Sequence, residues 1–413
     1  MTPGPEAWHS RSLEAASGRA GARDRGAQGM DAESVKAPAA PGGRSAQAVL
    51  AQWLALADVR LNGGRPWDMQ VLEPGLARRL LAGGSLALGE SYMDGAWTAE
   101  RLDLLFERLI QARLAERLRP LPVLWHVMKA RLLNLQTSRR AWEVGQRHYD
   151  LGNAFYQAML DRRLTYTCAY WQGGAGDLDQ AQEHKLDLVC RKLGLKPGMR
   201  LLDIGCGWGS LMRFAAERYG VRCVGVTVSA EQAALGRELC AGLPVEFRLQ
   251  DYRELDERFD RIASLGMFEH VGHKNAGLYM AVARRCLADD GLFLLHTIGR
   301  NDSAHGTDPW IHRYIFPNGE LPSIAGIGRA CEPFFVVEDL HNFGADYELT
   351  LLAWHERFEA AWPRFAGSLG ERFRRMWNYY LLCSAAAFRV RDIQLWQWVL
   401  SPRGVIGGYR RPS

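Results

Sequence analysis

The segment 203–209, Asp-Ile-Gly-Cys-Gly-Trp-Gly, has the residue types and spacing of a ligand-binding turn. A short apolar run precedes it and an amphipathic run follows, so it is predicted to join a strand to a helix. Glycines let the backbone turn sharply and approach a ligand closely. The first turn of the helix offers unpaired N–H groups and a positive dipole end, which suit a carboxylate or phosphate.

The spacing of the glycines discriminates between two classes of ligand. A nicotinamide site expects G-x-G-x-x-G and an acidic residue at the end of the second strand. Here Gly205, Gly207 and Gly209 are evenly spaced, Asp203 precedes them, and the second predicted strand ends in Thr227. The pattern fits a methyltransferase site for S-adenosylmethionine. A tight turn without a ligand is the alternative.

Polar residues follow the next two predicted strands. Because the carboxyl ends of parallel strands share one edge of a sheet, these residues are expected near the glycine-rich turn. Asp251 is placed to bond an adenine amino group and Tyr252 to pack on the adenine ring, although each alone could be an ordinary loop residue. The predicted cofactor site comprises Tyr166, Thr167, Asp203, Gly205, Cys206, Gly207, Gly209, Thr227, Gln232, Gln250, Asp251 and Tyr252.

The elements that must position these residues form an alternating pattern after residue 141. Short apolar runs alternate with helical segments, which is typical of a parallel α/β sheet. The predicted strands are Arg200–Ile204, Cys223–Thr227, Val245–Leu249, Arg261–Leu265, Leu292–Thr297 and Phe335–Asp339. The predicted helices include Leu211–Tyr219, Ala230–Cys240 and Asn275–Leu287. We therefore predict an α/β fold, with a Rossmann-like class I methyltransferase domain over residues 141–413.

The first third of the chain has a different composition. Residues 1–45 are rich in Gly, Ala, Ser, Pro and Arg without apolar periodicity, which predicts disorder. Residues 46–112 are amphipathic and interrupted by Gly and Pro, which predicts a smaller α-rich N-terminal domain. Residues 113–140 form a basic linker. Between Arg101 and Arg147 there are ten Lys/Arg and four Asp/Glu, so an excess of positive charge is concentrated in this stretch. Such a stretch can contact anionic lipid or nucleic acid, or be a solvated linker.

Composition excludes several classes of protein. The 413 residues contain no apolar run long enough for a transmembrane helix, and the N-terminus does not resemble a secretory signal. The eight cysteines form no C-x-x-C pair, which argues against a zinc ribbon or disulfide framework and favours a reducing compartment, the cytosol. His270 and His273 form an H-x-x-H pattern, but no third ligand has metal-site spacing, so we expect no metal.

Seven segments around these elements resemble cyclopropane-fatty-acyl-phospholipid synthases, bacterial enzymes that add a methylene across the cis double bond of a phospholipid acyl chain. The resemblance is densest over residues 145–400. One departure is Cys383, because the family often has a cysteine at the position of Ser384. The segments are 148–153 (HYDLGN), 166–171 (YTCAYW), 266–272 (GMFEHVG), 295–299 (LHTIG), 314–319 (YIFPNG), 342–347 (NFGADY) and 391–397 (RDIQLWQ).

The resemblance implies that the alkene attacks the sulfonium methyl, leaving a cation whose new methyl group then loses a proton. Aromatic faces can stabilise such a cation. The aromatic candidates are Tyr149, Tyr166, Tyr170, Trp171, Tyr314, Phe316 and Tyr347. The implied base is a bound bicarbonate. Its implied holders, which are also the catalytic residues, are Cys168, Glu269, His296 and Tyr347, with the backbone of Ile298 beside them.

The residue types suit an anion site. His296 and Tyr347 can donate hydrogen bonds, Glu269 can accept the proton of bicarbonate, and Cys168 has a weak donor. Glu269 follows the fourth predicted strand and His296 closes the fifth, so both are expected at the ligand edge of the sheet. Taken singly, His296 and Cys168 also fit ordinary buried residues.

The resemblance also implies partners. The substrate would be a membrane phospholipid, and the chain could form a homodimer. Since the sequence has no membrane span, we further predict that residues 46–112 and the basic linker contact the inner face of the membrane peripherally. Two alternatives are a lipid methyltransferase that gives a methyl-branched chain and a non-catalytic lipid-binding protein. Nucleic acid is not an expected substrate, because the fourth predicted strand is followed by Gly266-Met267-Phe268-Glu269 and not by a base-methylating N/D-P-P-Y/F signature.

Overall fold

The computed structural model describes residues 45–114, 152–304 and 306–412, all within one compact unit. Residues 1–44 and most of the basic linker lie outside this description. The helices of the described residues are α1 (Ala46–Ala55), α2 (Leu76–Met93), α3 (Leu102–Gln111), α4 (Asn153–Met159), α5 (Leu178–Lys192), α6 (Ser210–Tyr219), α7 (Ala230–Leu239), α8 (Ala276–Cys286), α9 (Pro309–Tyr314), α10 (Ile324–Cys331), α11 (Ala345–Ala361) and α12 (Ala366–Arg389). The strands are β1 (Gln70–Val71), β2 (Trp97–Thr98), β3 (Arg200–Ile204), β4 (Arg222–Thr227), β5 (Val245–Leu249), β6 (Phe259–Leu265), β7 (Leu287–Arg300), β8 (Val336–Asn342) and β9 (Ile393–Ser401).

Seven strands form the central sheet in the order β5-β4-β3-β6-β7-β9-β8. The first five are parallel, and β9 runs antiparallel to both β7 and β8. All six predicted strands are confirmed, with β7 extending beyond the prediction at both ends. The expectation of a parallel sheet was wrong at this edge. The buried polar residues Gln394 and Gln397 interrupt the apolar run of β9 and hide it from a hydrophobicity pattern.

Alternate residues of the sheet face two helical layers. Leu202 packs in the cluster that includes α8 and α10, whereas the adjacent Leu201 packs with α5, α6 and α7. This period of two is the pleat of a strand buried on both faces. The loops at the carboxyl ends of the strands therefore emerge at one edge, where the predicted site residues lie.

The N-terminal helices share a core with the last two helices of the chain. The ring of Phe106 on α3 meets that of Tyr379 on α12 edge-on at 4.8 Å. Arg389 on α12 pairs with Asp103 and Glu107 on α3, both at 2.9 Å. Residues 46–112 therefore pack directly on α12. No helix among the described residues combines the length and the apolar character needed to cross a bilayer.

Candidate active site

The glycine-rich turn follows β3 and leads into α6. Gly205, Gly207 and Gly209 have φ values of +83°, +55° and +81°, which favour glycine. The N–H groups of Gly205 and Cys206 both donate to the carbonyl of Val226, at 3.0 and 3.1 Å, and so tie the turn to β4. A Cβ atom on Gly209 would overlap the ring of Phe247, so this position accepts only glycine without rearrangement. The predicted strand–turn–helix is confirmed.

Two buried ionisable residues, Asp203 and Lys185, lie close to this turn. Asp203 is 3% exposed, and burial raises its pKa to about 7 while Lys185 opposes the rise. Lys185 is completely buried and donates to Oγ1 of Thr167 at 2.8 Å. Burial lowers the pKa of Lys185 to about 8, opposed by Asp161, Cys168 and Asp203. Lys185 thus bonds one predicted cofactor residue, Thr167, and acts electrostatically on another, Asp203, yet it was not predicted from the sequence. Its place on the apolar stripe of α5 is the signal that could have revealed it.

Thr227 and Gln232 lie together at the end of β4. Oγ1 of Thr227 accepts the N–H of Ser229 at 3.1 Å and lies 3.5 Å from Oε1 of Gln232. The N–H of Gln250 donates to the carbonyl of Thr227 at 3.1 Å, which brings the end of β5 to the same place. These predicted residues are therefore grouped as expected.

Asp251 and Tyr252 are more heavily engaged by the protein than the sequence suggested. The carboxylate of Asp251 accepts from the guanidinium of Arg253 at 2.9 and 2.8 Å and from its backbone N–H at 3.0 Å. The ring of Tyr252 is buried 5.1 Å from that of Tyr279. A bound adenine would have to use the remaining lone pairs of Asp251.

Glu269 lies in the short 3-10 helix Phe268–His270, directly after β6. Its Oε1 accepts the backbone N–H of Ile298 at 2.7 Å. Its Oε2 is buried and has no hydrogen-bond partner among the described residues. Burial raises the pKa of Glu269 to about 7, partly offset by the hydrogen bond from Ile298. The carboxyl group therefore titrates near neutrality and has one oxygen available.

His296 lies inside β7, not at its end. Leu265 pairs with His296 at the last parallel position between β6 and β7, but β7 continues to Arg300 because β9 pairs with it. Nδ1 of His296 lies 3.2 Å from Nε2 of Gln397, and its Nε2 is buried with no partner in the described part of the chain. Burial lowers the pKa of His296 well below its usual value, so the ring is neutral.

Tyr347 and Cys168 complete the predicted anion site. Tyr347 stacks on Phe388 with ring centroids 4.5 Å apart. Burial raises its pKa well above the usual range, assisted by the nearby Tyr380, Cys168 and Glu269, so the hydroxyl keeps its proton. Cys168 is fully buried, and its Sγ donates to the carbonyl of Ala169 at 3.2 Å. The S–H group of Cys168 is therefore engaged with the backbone, whereas the hydroxyl of Tyr347 keeps a proton that it can donate.

Aromatic rings surround this site. The hydroxyl of Tyr166 lies 3.2 Å from that of Tyr380, and its ring is 5.1 Å from Trp354. Phe316 meets Tyr380 edge-on at 5.8 Å. Tyr380 and Trp354 were not predicted, because ordinary core aromatics have the same sequence signature.

Other aromatic candidates have partners elsewhere. The hydroxyl of Tyr314 donates to Glu90 at 2.9 Å, in contact with the N-terminal helices. The indole of Trp171 donates to Oγ1 of Thr350 at 3.0 Å, and the ring of Tyr170 meets that of Phe343 edge-on at 5.4 Å. Tyr149 lies outside the described residues.

The H-x-x-H pattern has a structural explanation. Nδ1 of His273 lies 2.8 Å from Oε2 of Glu320, and burial lowers the pKa of His270. Over the described ranges, no group of three His, Cys, Asp or Glu side chains could hold a metal ion. Sγ of Cys383 donates to the carbonyl of Tyr380 at 3.5 Å.

The fold is that of the class I S-adenosylmethionine-dependent methyltransferases. A crystal structure of coclaurine N-methyltransferase bound to N-methylheliamine and SAH superimposes with a TM-score of 0.64 at 22% identity, covering 76% of this chain and 98% of that one. At this identity the likeness concerns the fold alone. The predicted fold class is confirmed.

The family described as mycolic acid cyclopropane synthetase matches residues 136–398, and the chain belongs to this family. It is 54% identical over 358 residues to the cyclopropane-fatty-acyl-phospholipid synthase of Escherichia coli (strain K12), covering 86% of this chain and 93% of the relative. A cyclopropane synthase structure from Mycobacterium tuberculosis gives a TM-score of 0.59 at 34% identity, covering 63% of this chain and 97% of that one. The resemblance seen in the sequence is confirmed.

Proposed function

We propose that this chain transfers a methylene group from S-adenosylmethionine to the cis double bond of an unsaturated phospholipid acyl chain and so forms a cyclopropane ring. One observation carries the proposal: among the described residues, Glu269 and His296 each keep a buried polar atom that has no hydrogen-bond partner. An acceptor and a donor left unsatisfied in an apolar site cost free energy unless a small polar group binds there. The 54% identity to a phospholipid-modifying relative supports the choice of lipid.

The residues at the ends of β3, β4 and β5 would hold S-adenosylmethionine. The bound cofactor supplies an electrophilic methyl group. The positive φ values of Gly205 and Gly209 let the backbone approach the cofactor closely, and α6 begins immediately after the turn with its dipole directed at it. The buried carboxyl group of Asp203, directly before the turn, would attract the ammonium group of the cofactor.

Glu269, His296 and Tyr347 would hold a bicarbonate ion. The bound ion supplies a base for the late deprotonation. Oε2 of Glu269 accepts the ion's own proton, which orients its basic oxygens, while Nε2 of His296 and the hydroxyl of Tyr347 donate to the negative charge. Because the pKa of Glu269 is about 7, the ionised form needed for accepting is well populated above neutrality.

The aromatic rings around the site would have two roles in this reaction. The faces of Tyr166, Tyr380 and Phe316 stabilise positive charge that develops on the acyl chain. Tyr380 is buried and Tyr166 and Phe316 are partly buried, so the three rings would also limit the access of water, which would otherwise trap a cation as an alcohol.

Membrane contact would come from the N-terminal segment and the basic linker. Leu56 and Leu72 in that segment are 54% and 58% exposed. Exposed leucines combined with clustered arginines provide the two weak signals that peripheral binding requires. Replacing Arg117, Arg119, Lys129 and Arg131 by Glu in the full chain should abolish sedimentation with anionic vesicles. Unchanged sedimentation would contradict this contact.

The decisive test is product analysis. The purified chain is incubated with methyl-labelled S-adenosylmethionine and vesicles of an unsaturated phospholipid, and the lipid is examined by proton NMR. Ring methylene protons at unusually high field are expected. A branch methyl signal would indicate methyl transfer without ring closure, and no labelled lipid from folded protein would refute the proposal.

A further inference from the structure

Gln397 connects His296 to a buried lysine. Gln397 on β9 pairs in register with His296 on β7, and its Nε2 lies 3.2 Å from Nδ1 of that ring. On the other side, Oε1 of Gln397 accepts from Nζ of Lys192 at 2.9 Å. Lys192 and Gln397 are both completely buried. The three side chains form one hydrogen-bonded series, Lys192–Gln397–His296.

Lys192 lies among acceptors for its ammonium group. It ends α5, and its Nζ lies 2.9 Å from Nδ1 of His341 and 4.0 Å from Oδ2 of Asp339. Arg411 in the C-terminal segment bonds that same carboxylate at 2.8 Å. Burial lowers the pKa of Lys192 to about 7, with Asp339 opposing and Arg411 assisting the shift. Burial also lowers the pKa of His341 to about 4, so His341 is a neutral acceptor.

The donors and acceptors of this series allow one arrangement. An ammonium group has donors only, so both atoms close to Nζ of Lys192 must accept. The amide of Gln397 therefore directs its oxygen to Lys192 and its NH2 group to His296. Nδ1 of His296 must then accept, and a neutral imidazole that accepts at Nδ1 carries its proton on Nε2.

We propose that Lys192 and Gln397 are positioning residues that hold His296 in the Nε2–H tautomer, so that Nε2, which has no partner among the described residues, is a hydrogen-bond donor before any ligand arrives. The use of that donor for bicarbonate rests on the proposed function, whereas the tautomer itself does not. An anion needs a donor at this atom, and the opposite tautomer would present a lone pair to it. A buried lysine is a costly residue, and fixing the amide of Gln397 gives it a role.

Gln397→Glu is the sharpest test, because it preserves shape and removes the donor. A carboxylate held by Lys192 can only accept, so Nδ1 of His296 must donate to it, and Nε2 loses its proton. The tautomer of His296 is read from the 15N shifts of the imidazole in the full-length protein at about pH 6, where Lys192 is largely protonated and burial keeps the imidazole neutral. Wild type should show Nε2–H and Gln397→Glu should show Nδ1–H.

Turnover should follow the tautomer. Loss of an orienting partner of this kind lowers activity by about 10- to 100-fold. The KM for S-adenosylmethionine should stay within about twofold, because the cofactor site is untouched. Gln394→Glu is the matched control: Gln394 is buried on the same strand but bonds Arg391 and Asn342 instead of His296. It should leave both tautomer and turnover unchanged.

Lys192→Met provides a second, independent variant. It keeps the buried apolar stem and frees the amide of Gln397 to turn, so both tautomers should be populated and turnover should fall. Wild-type His296 in the Nδ1–H form, or full turnover in a variant with the swapped tautomer, would overturn the inference. The two proposals can fail separately. If the wild-type product is not a cyclopropane lipid, the proposed function fails. The positioning role still stands if Gln397→Glu swaps the tautomer and lowers the transfer of the label.

Discussion

The backbone N–H of Ile298 donates to Oε1 of Glu269 at 2.7 Å, so β7 restrains the carboxylate that follows its neighbour β6. The restraint commits one oxygen and leaves Oε2 buried without a partner among the described residues. A carboxylate held in this way is oriented for a ligand at the expense of folding stability. The contribution of Glu269 to the free energy of unfolding can therefore be measured.

Glu269→Gln should change how stability depends on pH. Burial raises the pKa of Glu269 to about 7 from an ordinary value near 4.5. Between these values the folded chain holds a proton that the unfolded chain has lost, so the contribution of Glu269 to stability falls as the pH rises. The variant lacks this titration. The difference in the free energy of unfolding, variant minus wild type, should therefore increase by up to about 3 kcal/mol between about pH 5 and 8.

Urea unfolding at the two pH values measures this difference. Glu257→Gln is the matched control, because hydrogen bonds from Arg200 and Arg248 lower the pKa of Glu257, so this residue is ionised in both the folded and the unfolded chain over this pH range. The stability difference between that variant and wild type should be nearly the same at both pH values. A Glu269→Gln difference that is independent of pH would show that the carboxyl group titrates normally.

Glu269→Gln should also lower turnover while leaving cofactor binding nearly intact. The amide cannot accept and orient as a carboxylate does, and an anion-site group of this kind contributes about 100-fold in rate. Calorimetry with S-adenosylmethionine and a bicarbonate titration of turnover separate the two effects. Full rescue by added bicarbonate would show that Glu269 does not orient the base.

Gly209→Ala should weaken cofactor binding. Its Cβ would overlap the ring of Phe247, and its φ of +81° costs a non-glycine residue about 1–2 kcal/mol. Gly242→Ala is a matched control, since its φ is +82° and its Cβ would meet nothing within 4 Å. Both variants should lose stability, but only Gly209→Ala should raise the KM for S-adenosylmethionine. Equal KM values would place the cofactor away from this turn.

The sequence revealed those parts of the site that depend on local structure. The glycine-rich turn and the strands before it follow from short-range patterns, and the structure confirms them. Lys185, Lys192 and Gln397 were missed because their burial depends on partners more than 15 residues away along the chain. The apolar stripe of α5 marks the position of Lys185, but only the folded structure shows which group accepts from its ammonium.

Tyr347→Phe should lower turnover without unfolding the protein. The ring stack on Phe388 at 4.5 Å survives the change, so only the hydroxyl donor is lost. We expect a fall of about 10- to 100-fold in turnover and a stability change below about 1 kcal/mol. Tyr279→Phe removes another buried hydroxyl that lies outside the anion-site residues, and it should retain turnover. Similar losses in both variants would mean that buried hydroxyls matter only for packing.

Arg389→Met should show whether residues 46–112 unfold together with the methyltransferase fold. Arg389 binds Glu348 at 2.7 Å as well as Asp103 and Glu107 on α3, and its side chain is 21% exposed. Removing the cation leaves three carboxylates close together, which should cost about 2 kcal/mol after allowing for solvent screening. Arg372→Met, which removes the more exposed pair with Asp94 and a contact with Tyr314, should cost less.

Thermal unfolding followed by far-UV circular dichroism and by tryptophan fluorescence should give one shared transition that Arg389→Met shifts to lower temperature. The reason is that Phe106, Tyr379 and Arg389 join the two parts through a common core and a common ion-pair cluster. Two separate transitions, with only the first sensitive to Arg389→Met, would instead identify residues 46–112 as an independently folding domain. Membrane docking could then move that domain without disturbing the site around Glu269 and His296.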